Sequence, residues 1–298
     1  MADEDILHNV KNHFYLGNLK QAVIEAKSVD PPTSFSKEQR SFYLLRTYLD
    51  VENTQGMLEL VEEAKASPNS KFAQFLKFFL AYLNKEVTGE KLETVCQEFI
   101  TNPDFNKHPL VMLMVGLILY TENNISKAVL AVKDQSNLEM QALKLVMMVK
   151  NNRVNLAEKQ LDLMKQTDEE ATITQIAIAW VQLLTADYET AYHNFHELSE
   201  RFSSTINLFN LMALCMTQLE RYEDAEGLLQ EALTLSNENY GKDDATTLIN
   251  LLVVTFHLDK PQTEIDSLMG RLQQVDAHSE FLQKFVSGCE AFDNAAAN

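Results

Sequence analysis

The stretch 211–235, LMALCMTQLERYEDAEGLLQEALTL, constrains the fold more than any other part of the chain. Apolar residues recur in it at helical spacing on both sides of a break at Glu220 and Arg221, which predicts two amphipathic helices joined by a tight turn. The predicted buried stripes contain Met212, Met216 and Leu219 in the first helix, and Tyr222, Ala225, Leu229, Ala232 and Leu233 in the second. One hairpin cannot bury such stripes alone, so the stretch also predicts neighbouring hairpins of the same kind.

Copies of the second helix occur upstream at a constant interval. The interval from Ala157 to Ala191 equals that from Ala191 to Ala225. The positions three before and four after these alanines are also apolar: Val154, Tyr188 and Tyr222, then Leu161, Phe195 and Leu229. The interval matches the period of about 34 residues that is typical of the tetratricopeptide repeat, a helical hairpin that stacks into a solenoid.

Weaker copies extend this pattern to the whole chain. Positions equivalent to Ala225 recur at similar but less regular intervals, at Ala22, Met57, Leu92, Ala128, Ala157, Ala191 and Glu264. We therefore predict an all-α, tetratricopeptide-like solenoid, a superhelix of about eight helical hairpins followed by a C-terminal capping helix at 281–292. In this interpretation residues 1–293 form a single domain, residues 294–298 form a frayed tail, and Gly116 permits a close helix approach.

The net charge and the length of the apolar runs argue against nucleic acid and membranes as partners. A net charge of −18 argues against nucleic acid and against direct binding to an anionic membrane surface. The longest apolar run, 110–120, is too short to cross a bilayer of about 30 Å, so no membrane insertion is expected. The acidic N-terminus lacks the features of a signal peptide. Three widely spaced cysteines, Cys96, Cys215 and Cys289, favour a reducing cytoplasmic location with the thiols in the core.

Candidate chemical motifs are few. His193 and His196 could provide two metal ligands, but no further ligand follows at a recognisable spacing, so a solvated pair is favoured. The acidic runs at 168–170 and 243–244 precede apolar helices, where carboxylates cap the first turn, and this interpretation is favoured over a general acid and base. The sequence contains no Gly-rich phosphate loop, nucleophile elbow or zinc spacing. We predict a protein without catalytic residues, cofactor, metal or small-molecule substrate.

The first helices of the last three hairpins carry unusual residues on their predicted concave side. We call this set the inner face: Ile173, Ile176, Trp180, Leu183, Asn207, Asn210, Leu214, Thr246, Ile249, Val253 and Phe256. A solvated groove should be polar, whereas most of these residues are apolar. Two interpretations remain open. Tight curvature buries these positions against neighbouring repeats, or the face binds a permanent protein partner whose backbone bonds the asparagines.

Four segments resemble a known family. The sequence DEEATITQIAIAW at 168–180 is similar to a segment of the epsilon subunit of coatomer, the COPI vesicle coat. The resemblance continues in KNHFYLGN at 11–18, AEGLLQEAL at 225–233 and TLINLLVVTFHLDKP at 247–261. It covers nearly the whole chain in the same order.

The resemblance implies a non-catalytic coat subunit that is cytoplasmic and peripheral on Golgi membranes and COPI vesicles. It implies that the repeats surround the C-terminal region of the alpha subunit within the coatomer heptamer, in Golgi-to-ER retrograde and intra-Golgi transport. Two alternatives compete with it. One is a generic repeat adaptor that captures a partner such as a chaperone C-terminal peptide, although the inner face lacks the Lys and Arg that clamp carboxylates. The other is an enzyme with an unrecognised site.

Overall fold

The computed structural model describes residues 5–65, 70–134 and 136–296, and this part of the chain is helical with short turns and no strand. Its helices are α1 His8–Leu16, α2 Leu19–Ser28, α3 Ser34–Asp50, α4 Thr54–Lys65, α5 Lys71–Leu83, α6 Gly89–Thr101, α7 Pro109–Thr121, α8 Ile125–Ala131, α9 Leu138–Lys150, α10 Val154–Asp168, α11 Thr172–Leu184, α12 Tyr188–Phe202, α13 Ile206–Gln218, α14 Tyr222–Tyr240, α15 Ala245–His257, α16 Gln262–Val275 and α17 Glu280–Ala296. None of these helices is long and apolar enough to span a membrane.

The helices confirm the predicted all-α, tetratricopeptide-like solenoid. α1 to α16 follow one another as eight pairs, each a first and a second helix, and α17 follows alone. The apolar pattern alone predicts that the first helix of the second hairpin starts at Phe42, whereas α3 begins at Ser34 because Thr33 and Ser36 form a capping box. α17 continues to Ala296 and includes part of the predicted tail. The sequence at 67–69 contains a proline and predicts a helix break. These residues, the last two residues of the tail and the Cys289 side chain lie outside the described part.

Every hairpin turn contains one residue with a left-handed backbone. The φ angles lie between 49° and 82°, at Gly17, Glu52, Lys85, Asn123, Asn152, Ala186, Glu220 and Asp259. In the turn predicted at Glu220 and Arg221, the Glu220 N–H donates to the Thr217 carbonyl at 3.1 Å and the Arg221 N–H donates to the Met216 carbonyl at 2.9 Å. This Schellman geometry satisfies the last carbonyls of the first helix and reverses the chain.

Small residues lie at the centres of the hairpins, as the repeat pattern predicts. Ala157, Ala191 and Ala225 have no exposed surface. At Gly116 in α7, an added Cβ would lie 2.6 Å from Cγ1 of Val132. Such a distance leaves no room for a side chain, so this glycine is required for the close approach of the fourth hairpin's helices.

The chain divides into two compact units, Met1–Thr185 and Ala186–Asn298. In the first unit α7 is apolar on all sides and nine of its residues are buried, which makes it the central helix of that core. α1 packs against α3 and α11 in the same unit. The second unit has its own core, formed by α13 to α17. The single domain proposed for 1–293 stays a prediction.

Candidate partner-binding face

In the first unit, the inner face is contributed by α11. Buried Ala177 and Val181 hold one side of this helix in the core, and buried Ala179 lies on a second side. The segment before the helix is fixed by Asp168, whose carboxylate accepts a hydrogen bond from the Ala171 N–H at 3.1 Å. No side chain caps the first turn of α11, so the capping bond predicted for the run at 168–170 does not form here. Between the two buried sides Trp180 is 40% exposed. Its neighbours on the inner face are half-buried: Ile173, Ile176 and Leu183.

In the second unit, the inner face is contributed by α13 and α15. Thr205 caps α13 by accepting from the Leu208 N–H at 3.2 Å. Asp244 caps α15 by accepting from the Thr247 N–H at 2.8 Å. Both carboxylate oxygens of Asp243 accept from Arg271, at 2.8 and 2.9 Å, which fixes the segment before α15 to α16. The guanidinium lowers the pKa of the Asp243 carboxyl.

Asn210 does not present its side chain for a partner's backbone. Its amide nitrogen donates to Thr247 Oγ1 at 2.7 Å and to the Ile206 carbonyl at 2.9 Å. Its carbonyl oxygen accepts from Asn250 at 2.8 Å. The residue is buried, so it connects α13 to α15. Asn207, by contrast, is exposed.

Large apolar side chains are exposed on α15. Val253 is 36% and Phe256 is 40% exposed. The Phe256 ring stacks on Phe285 of α17 with centroids 5.8 Å apart, and Phe285 stacks in turn on Phe281 at 6.2 Å. Thr246 is exposed as well, whereas Ile249 and Leu214 are half-buried. Within each unit, part of the inner face is therefore buried and an apolar remainder is exposed.

Sequence reasoning missed several residues beside the inner face. Val146 of α9 lies one repeat period before Trp180, occupies the equivalent position and is 43% exposed. Extending the repeat register by one hairpin would have found it. Phe281 and Phe285 belong to the predicted capping helix, and their positions in the sequence carry no signal for a contact with Phe256.

A polar network that the sequence did not indicate lies near Ile173. A cavity of about 440 Å³ is lined by Ile173 together with Tyr15, Tyr43 and Glu139. One Glu139 oxygen accepts from the Tyr15 hydroxyl at 2.6 Å and from the Tyr43 hydroxyl at 2.9 Å. The other oxygen accepts from Arg46 at 3.3 Å. These bonds connect the first two hairpins to the fifth.

Burial determines the protonation of this network. Desolvation, followed by the nearby Glu139 carboxylate, raises the pKa of Tyr15 and of Tyr43 well above their usual range. Both phenols therefore stay protonated and remain donors. The Arg46 guanidinium lies over the Phe14 ring, 4.4 Å from its centroid. With its donors and its acceptor already paired, the network is suited to holding α1, α3 and α9 together.

The other candidate motifs remain apart from the inner face. His193 and His196 are exposed. His196 lies beside Glu200 at 3.8 Å, and its ring is tilted against Tyr192. Cys96 and Cys215 are buried, as predicted, and burial raises the pKa of each thiol to about 12. These thiols are therefore protonated and unreactive.

Comparison with known proteins identifies the family. The model of the coatomer epsilon subunit family matches residues 3–298. The chain belongs to this family. It is 30% identical over 262 residues to coatomer subunit epsilon-1 of Arabidopsis thaliana, covering 87% of this chain and 86% of the relative. It is 25% identical over 300 residues to coatomer subunit epsilon of Caenorhabditis elegans, covering 100% and 99%.

A solved structure supports the fold. A tetratricopeptide repeat protein from Parabacteroides merdae is similar with a TM-score of 0.59 and 12% sequence identity, over 83% of this chain and 98% of that one. This likeness concerns architecture alone. Together with membership of the coatomer epsilon family, it makes the chain a structural, non-catalytic component of a vesicle coat.

Proposed function

We propose that this coatomer subunit holds the C-terminal region of the alpha subunit through its inner face. It would do so in the cytoplasm, within the COPI coat on Golgi membranes and vesicles that serve Golgi-to-ER and intra-Golgi transport. The observation that carries the proposal is the exposure of Trp180, Val253 and Phe256, which are 36 to 40% exposed on helices whose other sides are buried. Exposed aromatic residues of this kind are the usual anchors of protein interfaces.

The chemistry of the face favours this function over capture of an acidic peptide. A groove for a C-terminal carboxylate needs cations, and the inner face contains neither Lys nor Arg. The polar groups that remain, Asn207 and Thr246, are exposed and suited to bond a partner's backbone. Asn210 is left out of this set because its bonds are internal.

The test is a pull-down after co-expression with the alpha subunit's C-terminal region. Trp180→Asp combined with Phe256→Asp places two charges on the face, and we expect at least a tenfold loss of binding, about 1.4 kcal/mol or more. A matched control is Leu130→Asp combined with Leu156→Asp, since these leucines are 55% and 45% exposed on second helices. The control should bind normally.

Folding is checked in parallel by circular dichroism, because both pairs are surface substitutions and should retain the helical content. Binding of the inner-face variant at unchanged strength contradicts the proposal. Equal loss in the control pair would mean that the second helices form the interface instead.

A further inference from the structure

Within the described residues, the last helix of the solenoid is not followed by a second helix, unlike every earlier first helix. α1 to α16 form pairs, and α17 follows α16 as the first helix of a ninth hairpin without a second helix in the described residues. A first helix is apolar on the side that faces its second helix. Counting residues from the start of each first helix identifies the equivalent side of α17.

Equivalent positions show the consequence. Met212 and Leu251 are the seventh residues of α13 and α15 and are at most 5% exposed. Val286 is the seventh residue of α17 and is 50% exposed. Leu251 is in one core cluster with Leu268 and Leu272 of α16, its own second helix. No second helix follows Val286 in the described residues, and Phe292 near the end of α17 is 74% exposed.

A groove lies where the missing helix would pack. Its volume is about 630 Å³, and its apolar lining comes from α16 and α17: Ile265, Met269, Gly270, Leu282, Phe285 and Val286. An added Cβ on Gly270 or Gly288 would meet no atom within 4 Å, so both glycines border open space. In every preceding hairpin the chain fills the corresponding space with an α-helix.

The charges around the groove indicate the charge of a helix that would bind there. Asp266 lines it, and Glu264 and Asp276 are exposed at the start and end of α16. The two nearby cations are already paired, Arg271 with Asp243 at 2.8 Å and Lys284 with Glu280 at 2.6 Å. A helix that enters the groove therefore meets mainly negative charge.

We propose that the groove between α16 and α17 binds a basic amphipathic α-helix of a partner protein, which completes the ninth hairpin. The occupant places small and aliphatic residues against Val286 and Gly270, and Lys or Arg at its edges. None of the lining residues belongs to the inner face, but Phe285 stacks on Phe256. The groove is therefore tested at Gly270 and Val286 and not at Phe285.

The probe is a pair of fluorescently labelled, capped peptides. One copies residues 222–236 of α14, a second helix of this chain, and the other replaces its four carboxylates, Glu223, Asp224, Glu226 and Glu231, with lysine. Titration with the full chain, followed by fluorescence anisotropy, should show saturable binding of the lysine peptide. The unaltered acidic copy should bind at least tenfold more weakly.

Variants of the chain identify the binding surface. Gly270→Phe fills the groove without removing a contact, and Val286→Glu alters an exposed side chain, so both should fold and both should weaken binding at least tenfold. Gly227→Phe is the matched control, since Gly227 also lies within a helix and its Cβ, like that of Gly270, would meet nothing within 4 Å. It should bind like the unchanged chain.

Four results would overturn the proposal. The lysine peptide shows no saturable binding, or the two groove variants bind it as well as the control does. The acidic copy binds equally well. Sedimentation shows a dimer of this chain that Val286→Glu dissociates, which would make a second copy the occupant.

Discussion

Gly116→Ala tests whether the close helix approach in the fourth hairpin is required. The new methyl group would lie 2.6 Å from Val132 Cγ1 and 3.4 Å from Leu143 Cδ2, whereas carbon atoms in contact are normally about 3.5 to 4.0 Å apart. Val132 is fully buried and β-branched, so rotation about its χ1 angle gives little relief. Overpacking of this severity costs about 3 kcal/mol, and the better helix propensity of alanine returns about 1 kcal/mol. We therefore expect a net loss of about 2 kcal/mol.

A double-mutant cycle makes this prediction specific. Val132→Ala removes the clashing atom but leaves a cavity, and alone it should cost about 2 kcal/mol. In the double variant the new methyl group occupies part of that cavity. Its loss of unfolding free energy should therefore be smaller than the sum of the two single losses by at least about 1 kcal/mol. Urea unfolding followed by circular dichroism measures all four proteins.

Gly227→Ala is the matched control for Gly116→Ala. Its Cβ would meet nothing within 4 Å, so only the propensity gain applies, and the protein should be stabilised by up to about 1 kcal/mol. The packing explanation is wrong if Gly116→Ala is as stable as the unchanged chain. It is also wrong if the free-energy changes of Gly116→Ala and Val132→Ala simply add in the double variant.

The other predictions concern polar and turn residues. Asn210→Ala breaks the bonds between α13 and α15 and should cost about 1 to 3 kcal/mol in urea unfolding; an unchanged midpoint would contradict the internal role. Glu139→Ala removes the shared acceptor of Arg46 and of two phenols, which keep only their bond to each other at 3.1 Å, and should cost about 3 kcal/mol by the same measurement. Glu220 has a left-handed backbone, which costs free energy in any residue with a Cβ. Glu220→Gly removes this cost and should stabilise the protein by about 1 kcal/mol in thermal unfolding. Cys96 and Cys215, with pKa values of about 12, should resist a thiol reagent at about pH 8 until urea unfolds the chain; rapid reaction of either in the native protein would contradict their burial.

The hairpins were predictable because each one repeats the same local chemistry. A small residue at the centre of the second helix and apolar residues three before and four after it are enough to place Ala157, Ala191 and Ala225 in the core. The helix ends were less predictable. α3 starts early because of a side-chain cap at Thr33, and such caps compete with turn signals in nearly the same residues.

The site was predictable only in part. Register alone indicated that Trp180 and Phe256 lie on the predicted concave side, away from the contacts within each repeat, and both are exposed. Asn210 is internal because it donates a hydrogen bond to Thr247 of the next first helix. This bond does not recur between the other repeats' equivalent residues in the sequence, so the repeat pattern does not indicate it. The Glu139 bonds join residues separated by 96 and 124 positions, and these too become visible only when the helices are packed.

Comparison of Phe256 with Val286 separates two reasons for an exposed apolar residue. Val286 is exposed because its register position needs a second helix that does not follow α17 in the described residues. Phe256 cannot be explained in this way, since α15 is followed by α16 and packs against it. Phe256 is 40% exposed although its hairpin is complete. The lack of a second helix after α17 in the described residues accounts for the groove at the end of the second unit, whereas the repeat pattern does not account for the exposure of Phe256, which supports the proposed partner.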